Sequence, residues 1–361
     1  MRTMDDKNRF DFIETKFDQT DEQELFTRLS FKVDKGQDFM RIDKWVQMRI
    51  EGASRNKIQQ AIEGCYLTVN GKAVKSNYKV KPFDEVVLIM LNDPEVITIT
   101  PENIPLDIVY EDEDVMVVNK PANMVVHPAI GNYTGTLLNA VAYYLKTQYP
   151  ELSEDDLPRY GLVHRIDKNT TGLLVLAKNL QSASHLSKQF FYHTVERKYK
   201  ALVWGDVKED NGTVNAHIAR HKQNRKTYDA YPEGEIGKHA ITHYKVLERY
   251  YYVTLIECQL ETGRTHQIRV HMKHIGHTLF NDAEYNGDRI LKGTIYTKYK
   301  QFVENCFEAC PRCALHAYIL GFEHPRTGEI MHFESPLPTD MTNAIEKWRN
   351  YTSSLNKRDL D

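Results

Sequence analysis

The sequence predicts an α+β protein: a large C-terminal domain built on a mixed or antiparallel sheet, preceded by a small α/β module. Three observations lead there. The chain has 361 residues, too many for one typical domain. Strand-like apolar runs dominate from Leu106 onwards, and they do not alternate with helical patterns in strict βαβ order. A stretch rich in Pro, Thr and acids, residues 92–105, separates this part from a helix-and-hairpin pattern at 38–91.

Residues 1–37 are acid-rich and hold no lasting periodicity, so they are expected to form an arm. In the module, Ile42, Trp45, Val46 and Ile50 recur at helical spacing, with Gly52 placed to end the helix. A second helix is expected from an N-cap at Ser54 to Gly64, and a hairpin from Tyr66 to Val74 that turns at Asn70-Gly71. Asp84 to Leu91 reads as a further strand. The large domain, 106–349, shows strand patterns at Asp114–Asn119, Gly172–Ala177, Lys198–Trp204, Tyr252–Leu260 and Ala314–Phe322. Helical patterns run over Thr136–Leu145, Ser182–Phe191 and Thr265–Ile275, and residues 350–361 read as a tail.

Hydrophobic residues make up 41% of the chain and charged ones 27%, enough for a sizeable core and too much for disorder. The longest apolar runs, such as Val86–Leu91, fall far short of the roughly 18 residues that cross a bilayer, so no membrane contact is expected. Five Cys in no framework spacing, and an N-terminus without a leader pattern, point to a cytoplasmic protein with reduced thiols.

The formal charge of −3 hides segregation. Residues 1–30 carry eight acids against five bases; Arg41 to Leu91 carries nine bases against five acids, and Arg197 to Lys226 eight against three. Arg41 opens the first basic segment. Arg55 and Lys57 stand in the first turn of the second helix, where the helix dipole disfavours cations, as if an external phosphate were to be held there. The charges alone do not decide between that and side chains turned to solvent. Arg41, Arg55 and Lys57 are the candidate RNA-binding residues.

The most informative stretch is Gly161-Leu162-Val163-His164-Arg165-Ile166-Asp167-Lys168-Asn169-Thr170-Thr171-Gly172, followed by an apolar strand. A polar block at a strand mouth puts Asp167 on a loop held by a rigid sheet, with Arg165, Lys168 and His164 nearby to keep it ionised. Pattern alone also allows Asp167 and Thr170 simply to cap the turn.

Residues 161–179 resemble the signature His-Arg-Leu-Asp-x-x-Thr-Ser-Gly of the RluA-type RNA pseudouridine synthases, with Ile166 for Leu and Thr171 for Ser. Further blocks resemble the same family in the same order: Lys120 to Pro128, Arg197 to Gly205, Glu261 to Arg269, Ala314 to Ala317 and Phe333 to Pro338. The module resembles the small RNA-binding domain named after a small-subunit ribosomal protein. The resemblance implies an isomerase acting on structured RNA, ribosomal RNA or a ribosomal precursor particle, with no cofactor. It makes Asp167 the catalytic residue, attacking the sugar or assisting removal of a ribose proton while the glycosidic bond breaks and the uracil reattaches through carbon 5. It makes Arg165 fill the space of the extruded base, Tyr199 stack on the uracil, and Arg264 pair with Asp167. Transfer RNA is the alternative substrate, and a non-catalytic assembly factor the alternative function. A glycosidase-type hydrolase would need a second acid, and none stands out beside the motif.

Two patterns weigh less. His271, His274 and His277 wind around a helix and past Gly276, and so make a poor metal set. Cys306, Cys310 and Cys313 show a Cys-x-x-x-Cys-x-x-Cys spacing, but C-terminally and inside a family block, so no cluster or zinc is expected.

Overall fold

The computed structural model describes residues 26–50, 55–63, 66–91, 99–129, 131–153, 156–224, 227–232, 236–294 and 296–358. Ser54, Gly52 and Gly64, assigned above to helix ends, lie outside them, as do most of the arm and the start of the linker. The chain divides into two compact units, one over Phe26–Asn92 and one over Asp93–Asp361.

The first unit contains strand β1 (Phe26–Lys32), helices α1 (Ile42–Gln47) and α2 (Arg55–Glu63), and strands β2 (Leu67–Val69), β3 (Lys72–Ala73) and β4 (Glu85–Leu91). The four strands form an antiparallel sheet in the order β1-β4-β2-β3. β1 lies inside the segment read as an arm. It pairs with β4 in the register Leu29↔Leu88 and Phe31↔Val86, and Phe31 meets Trp45 edge to face. The hairpin turns at Asn70-Gly71 with φ of 52° and 75°, as expected for that dipeptide. Ile42, Trp45, Val46, Ile58, Ile62, Leu67 and Val80 fill the core.

The second unit holds β5 (Ile108–Glu111), β6 (Val115–Lys120), α3 (Leu137–Gln148), β7 (Thr171–Ala177), α4 (Leu180–Phe191), β8 (Glu196–Trp204), β9 (Asn211–Arg220), β10 (Tyr228–Tyr231), β11 (Lys238–Arg249), β12 (Val253–Leu260), α5 (Gln267–His274), α6 (Thr297–Ala309), β13 (Leu315–Glu323), β14 (Ile330–Glu334) and α7 (Thr339–Arg358). Nine strands run β10-β9-β11-β12-β8-β13-β7-β6-β5, and β14 pairs with β13. Every pairing is antiparallel except β13 with β7. The α+β expectation with a mixed sheet therefore holds.

β7 is buried at every residue because both its faces are covered. Leu174 and Leu176 point to α3 and α5, packing with Leu138, Val141, Ile268 and Met272. Leu173 and Val175 point the other way, to Leu186 and Phe190 of α4. The period-2 alternation of the strand thus serves two cores. Where β7 meets β13, Gly172 has φ 115°, and a Cβ there would lie 2.1 Å from the Ala317 carbonyl oxygen, so only glycine fits. A third cluster joins Trp204, Phe280, Val303 and Trp348 under α6 and α7.

Two boundaries shift. Ile99 is buried against α3, and the Asn139 side chain donates to the Thr100 carbonyl at 2.7 Å, so residues 99–105 belong with the large domain. α7 continues beyond 349 into the expected tail, because Trp348 and Tyr351 bury one of its faces.

Candidate active site

Asp167 lies on the loop between Leu162 and β7, and its carbonyl accepts from Thr170 N–H at 3.1 Å. The loop is pinned from several sides. His164 stacks on Phe190 with ring centroids 4.2 Å apart, and its Nε2 accepts from Val175 N–H at 3.0 Å. Burial, aided by the Arg197 charge, pushes its pKa down to about 3. His164 is therefore a neutral core residue and does not flank Asp167 as expected. Lys168 turns its side chain to solvent. Its carbonyl accepts instead from the buried Lys120 Nζ at 3.0 Å, and the same ammonium donates to the carbonyls of Pro121 and Met124. Burial pushes the Lys120 pKa down to about 7, against the pull of Asp167. On the other side of the loop, Arg312 donates to the Asn169 carbonyl at 2.9 Å and pairs with Asp340 of α7 at 2.6 Å.

The cation that meets Asp167 comes from α5. Arg269 Nη1 donates to Asp167 Oδ2 at 3.1 Å. Its Nε and Nη2 donate to the two oxygens of the buried Asp282 at 2.7 and 2.8 Å, and Nη2 also reaches Glu284. Such a fork fixes a guanidinium in plane and position. This corrects the assignment of Arg264 as the partner. α5 opens at Gln267, with His266 before it in a left-handed conformation (φ 57°), so Arg269 falls in the first turn while Arg264 precedes the helix. Arg264 donates from Nε to the His239 carbonyl at 2.7 Å and lines the pocket beside Asp167. The structure also brings in two acids that the sequence did not single out, Asp282 and Glu284, both bound to Arg269.

His266 Nε2 lies 3.9 Å from Asp167 Oδ1, and its Nδ1 is 2.8 Å from the Tyr285 hydroxyl. That hydroxyl also accepts from Tyr228 N–H at 3.0 Å. Burial pulls His266 below its usual value, against the opposing pull of Asp167. Burial alone would raise the Asp167 carboxyl; the charges of His266 and Arg269, with the Arg269 hydrogen bond, outweigh it and hold the carboxyl below the usual range. Asp167 is thus an ionised carboxylate with its side chain 28% exposed.

Asp167 lines an open pocket. Tyr199, Ile166, Leu260 and Leu315 give the pocket apolar walls, and Arg165, Arg197 and Arg264 give it charge. Tyr199 is 8% exposed and belongs to the core cluster as well as to the pocket lining. Arg165 is exposed at the rim, where Nη2 donates to Thr265 Oγ1 at 3.2 Å. The sequence-predicted residues Arg165, Asp167, Tyr199 and Arg264 converge here. Arg269 and Lys120 were missed although both sit inside the quoted blocks; Arg312 carried no signal.

In the module, the anion at the second helix is internal. Asp43 is fully buried and accepts from Arg41 at 3.1 and 2.9 Å, from Arg55 at 3.2 and 3.0 Å, from Gln59 at 3.1 Å and from Lys44 N–H at 2.9 Å. Burial alone would raise its carboxyl, but the hydrogen bonds from Arg41, Arg55, Gln59 and Lys44 hold it far below the usual range. Arg55 thus clamps α2 to α1, which corrects its reading as a residue free to take an external phosphate. The Lys57 side chain lies outside the described residues.

The Cys and His patterns do not converge. Cys306 and Cys310 pack in the α6–α7 cluster, whereas Cys313 packs in the central one, 3.4 Å from Asp282. His271 bonds Thr242, and His277 bonds the Trp204 carbonyl. Among the described residues, one trio could offer metal ligands, Asp112, Asp114 and His324. Its oxygens already accept from Val115 N–H, Ser182, Asn179 and Arg326, so it reads as a loop staple.

Residues 114–274 match the family described as RNA pseudouridylate synthase, and residues 40–86 match the S4 domain. A protein of Chlorobaculum parvum named as an uncharacterized RNA pseudouridine synthase is 46% identical over 89% of this chain and 98% of its own length. The ribosomal large subunit pseudouridine synthase D of Haemophilus ducreyi is 41% identical over 85% of this chain and 90% of its own. Among solved structures, human RNA pseudouridylate synthase domain containing 4 shares the fold, with a TM-score of 0.52 at 22% identity over 67% of this chain and 92% of its own.

Proposed function

The chain belongs to the RNA pseudouridine synthases, isomerases that convert uridine in RNA to pseudouridine, and from that premise we propose that its substrate is large-subunit ribosomal RNA, free or in a precursor particle. The reading is supported by the relative that is named for the large ribosomal subunit and nearly matches this chain in length. The S4 domain adds an RNA-binding module at the N-terminus.

The observation that carries the chemistry is the Arg269–Asp167 pair, whose carboxylate lines the pocket. The reaction breaks the bond from ribose to N1 of uracil, turns the base and joins its C5 to the sugar; nothing is oxidised and no water is added. An ionised carboxylate of fixed direction can attack the sugar or take a proton from it. Arg269 keeps Asp167 ionised and aimed. Tyr199 forms an apolar wall on which a flipped uracil would lie, and extrusion from the RNA costs a few kcal/mol that these contacts offset. Arg165, at the rim, is placed to occupy the gap left in the stack.

The test is carbodiimide mapping of pseudouridine in RNA from cells lacking the protein. One or more large-subunit signals should vanish and return with the wild-type gene but not with Asp167→Asn. Signals lost from transfer RNA alone would transfer the reading to that substrate.

A further inference from the structure

The module carries a ribbon of alternating aromatic and cationic side chains that the catalytic reading leaves unused. Arg41 and Lys79 are antiparallel partners, bracketed by the bonds Ile42 N–H to Tyr78 O at 2.7 Å and Val80 N–H to Met40 O at 2.9 Å. Paired residues in such a bridge share a face, and residues two apart along each strand return to it. Phe39 and Lys81 therefore join Arg41 and Lys79. Burial agrees: Ile42 and Val80 are fully buried on the opposite face, while Phe39 is 71% exposed and both lysines are exposed.

Two residues beyond Lys81 stands Phe83, with φ 69° and 61% of its surface exposed. A bulky side chain in the left-handed region is a steric outlier, and most such positions hold glycine. The turn is well determined: Phe83 N–H donates to the Val33 carbonyl, and the Asp84 carboxylate accepts from Lys81 N–H, the Tyr78 hydroxyl and the Asn70 amide. The fold does not bury the ring that occupies this costly position. From Lys72 to Phe83 the only ionisable cations are Lys72, Lys75, Lys79 and Lys81, all exposed, with no acid among them.

We propose that Phe39, Lys79, Lys81 and Phe83 form a binding site for single-stranded RNA, in which the rings stack on unpaired bases and the lysines follow the phosphates between them, while Arg41 stays bound to Asp43. This rests on the reading of the chain as an RNA enzyme and names where its module would grip. Rings interleaved with cations are how proteins hold single strands without reading sequence, because every base has a stacking face. The same ribbon suits a duplex poorly, since paired bases are not offered to the rings.

The test uses the full-length protein and a short labelled oligoadenylate, which has no uridine and so leaves the uridine pocket out of the measurement. Phe83→Gly and Phe39→Ala should each weaken binding about 5- to 150-fold, the range for one lost base stack. Phe83→Gly should do so with equal or higher thermal stability, because glycine relieves the left-handed turn; a purely structural Phe83 would give wild-type binding. The salt slope should stay unchanged in both. Replacing Lys79 and Lys81 together by Ala should flatten it by about 1.4, or about 0.7 per phosphate. Wild-type affinity in Phe83→Gly, or equal wild-type affinity for a duplex of the same length, overturns the proposal. Pseudouridine formation by the wild type is scored separately, so failure of the catalytic reading and failure of this one give different results.

Discussion

Arg269 holds three carboxylates at once, Asp167 through Nη1 at 3.1 Å, Asp282 through Nε and Nη2 at 2.7 and 2.8 Å, and Glu284 through Nη2. The charge that orients the candidate catalytic group is thus itself oriented by a buried acid 115 residues farther along the chain. Each element of that arrangement can be removed separately.

Asp167→Asn keeps the shape of the side chain and loses its charge and basicity. Isomerisation should be abolished while the thermal midpoint and RNA affinity stay close to wild type. Single-turnover assays on ribosomal RNA decide this, and near-normal turnover would remove Asp167 from the chemistry.

Arg269→Lys keeps a cation but cannot fork onto Asp282 and reach Asp167 together. A carboxylate displaced by about 1 Å can lose about 100-fold in rate, so kcat should fall by that order with KM little changed. The sign of the pH effect follows from the depressed Asp167 carboxyl. With its partner weakened the carboxyl rises, so the acid limb of kcat/KM should move to higher pH. Arg264→Ala should leave that limb in place and act mainly on KM, because Arg264 lines the pocket without supplying the charge described here.

Asp43→Asn leaves Arg41 and Arg55 without their shared carboxylate. The module should lose roughly 2 to 3 kcal/mol, less than a fully buried pair would, because both arginines are partly exposed. The Asp43 carboxyl is lower folded than unfolded, so its stabilisation is complete above the unfolded value near 3.8 and is lost as pH falls below it. Urea unfolding between neutral pH and about pH 3 should show this slope in wild type and a shallower one in Asp43→Asn.

Lys120→Met deprives three carbonyls of their donor, among them that of Lys168 beside Asp167. A loss of roughly 1 to 3 kcal/mol is expected, together with reduced kcat. The folded pKa of about 7 lies below the unfolded 10.5, so the unfolded chain binds more protons between them. Stability from this group therefore rises with pH across that window, and the variant should lack the rise. An identical slope in both proteins would show that Lys120 stays fully charged in the fold.

Asp167, Tyr199 and the strands β6, β7, β8, β12 and β13 were legible in the sequence because they depend on local pattern and on blocks of fixed spacing. Arg269 was not. It shares a block with Arg264, and which of the two meets Asp167 depends on where α5 begins, on the left-handed turn at His266 and on a contact spanning 102 residues. Asp43 looked like one charge among many; its burial comes from Arg55 and Gln59 on the next helix, which spacing cannot show. β1 was missed because eight acids in residues 1–30 obscured a strand whose partner, β4, lies about 60 residues away.

The place of β13 in the sheet sets an order of events during synthesis. Strands β5 to β7 and strands β8 to β12 are each made early and can each pair among themselves, but β13, at residues 315–323, is the strand that lies between the two groups. The half carrying Asp167 and the half carrying Arg269 are stitched together only once it has emerged, through contacts as distant in sequence as Thr171 with His316. At about 5 to 20 residues per second, the ribosome leaves both halves waiting with open strand edges for several seconds. A chain that stops short of β13 would hold every residue of the catalytic loop and of α5, and no frame to bring them together.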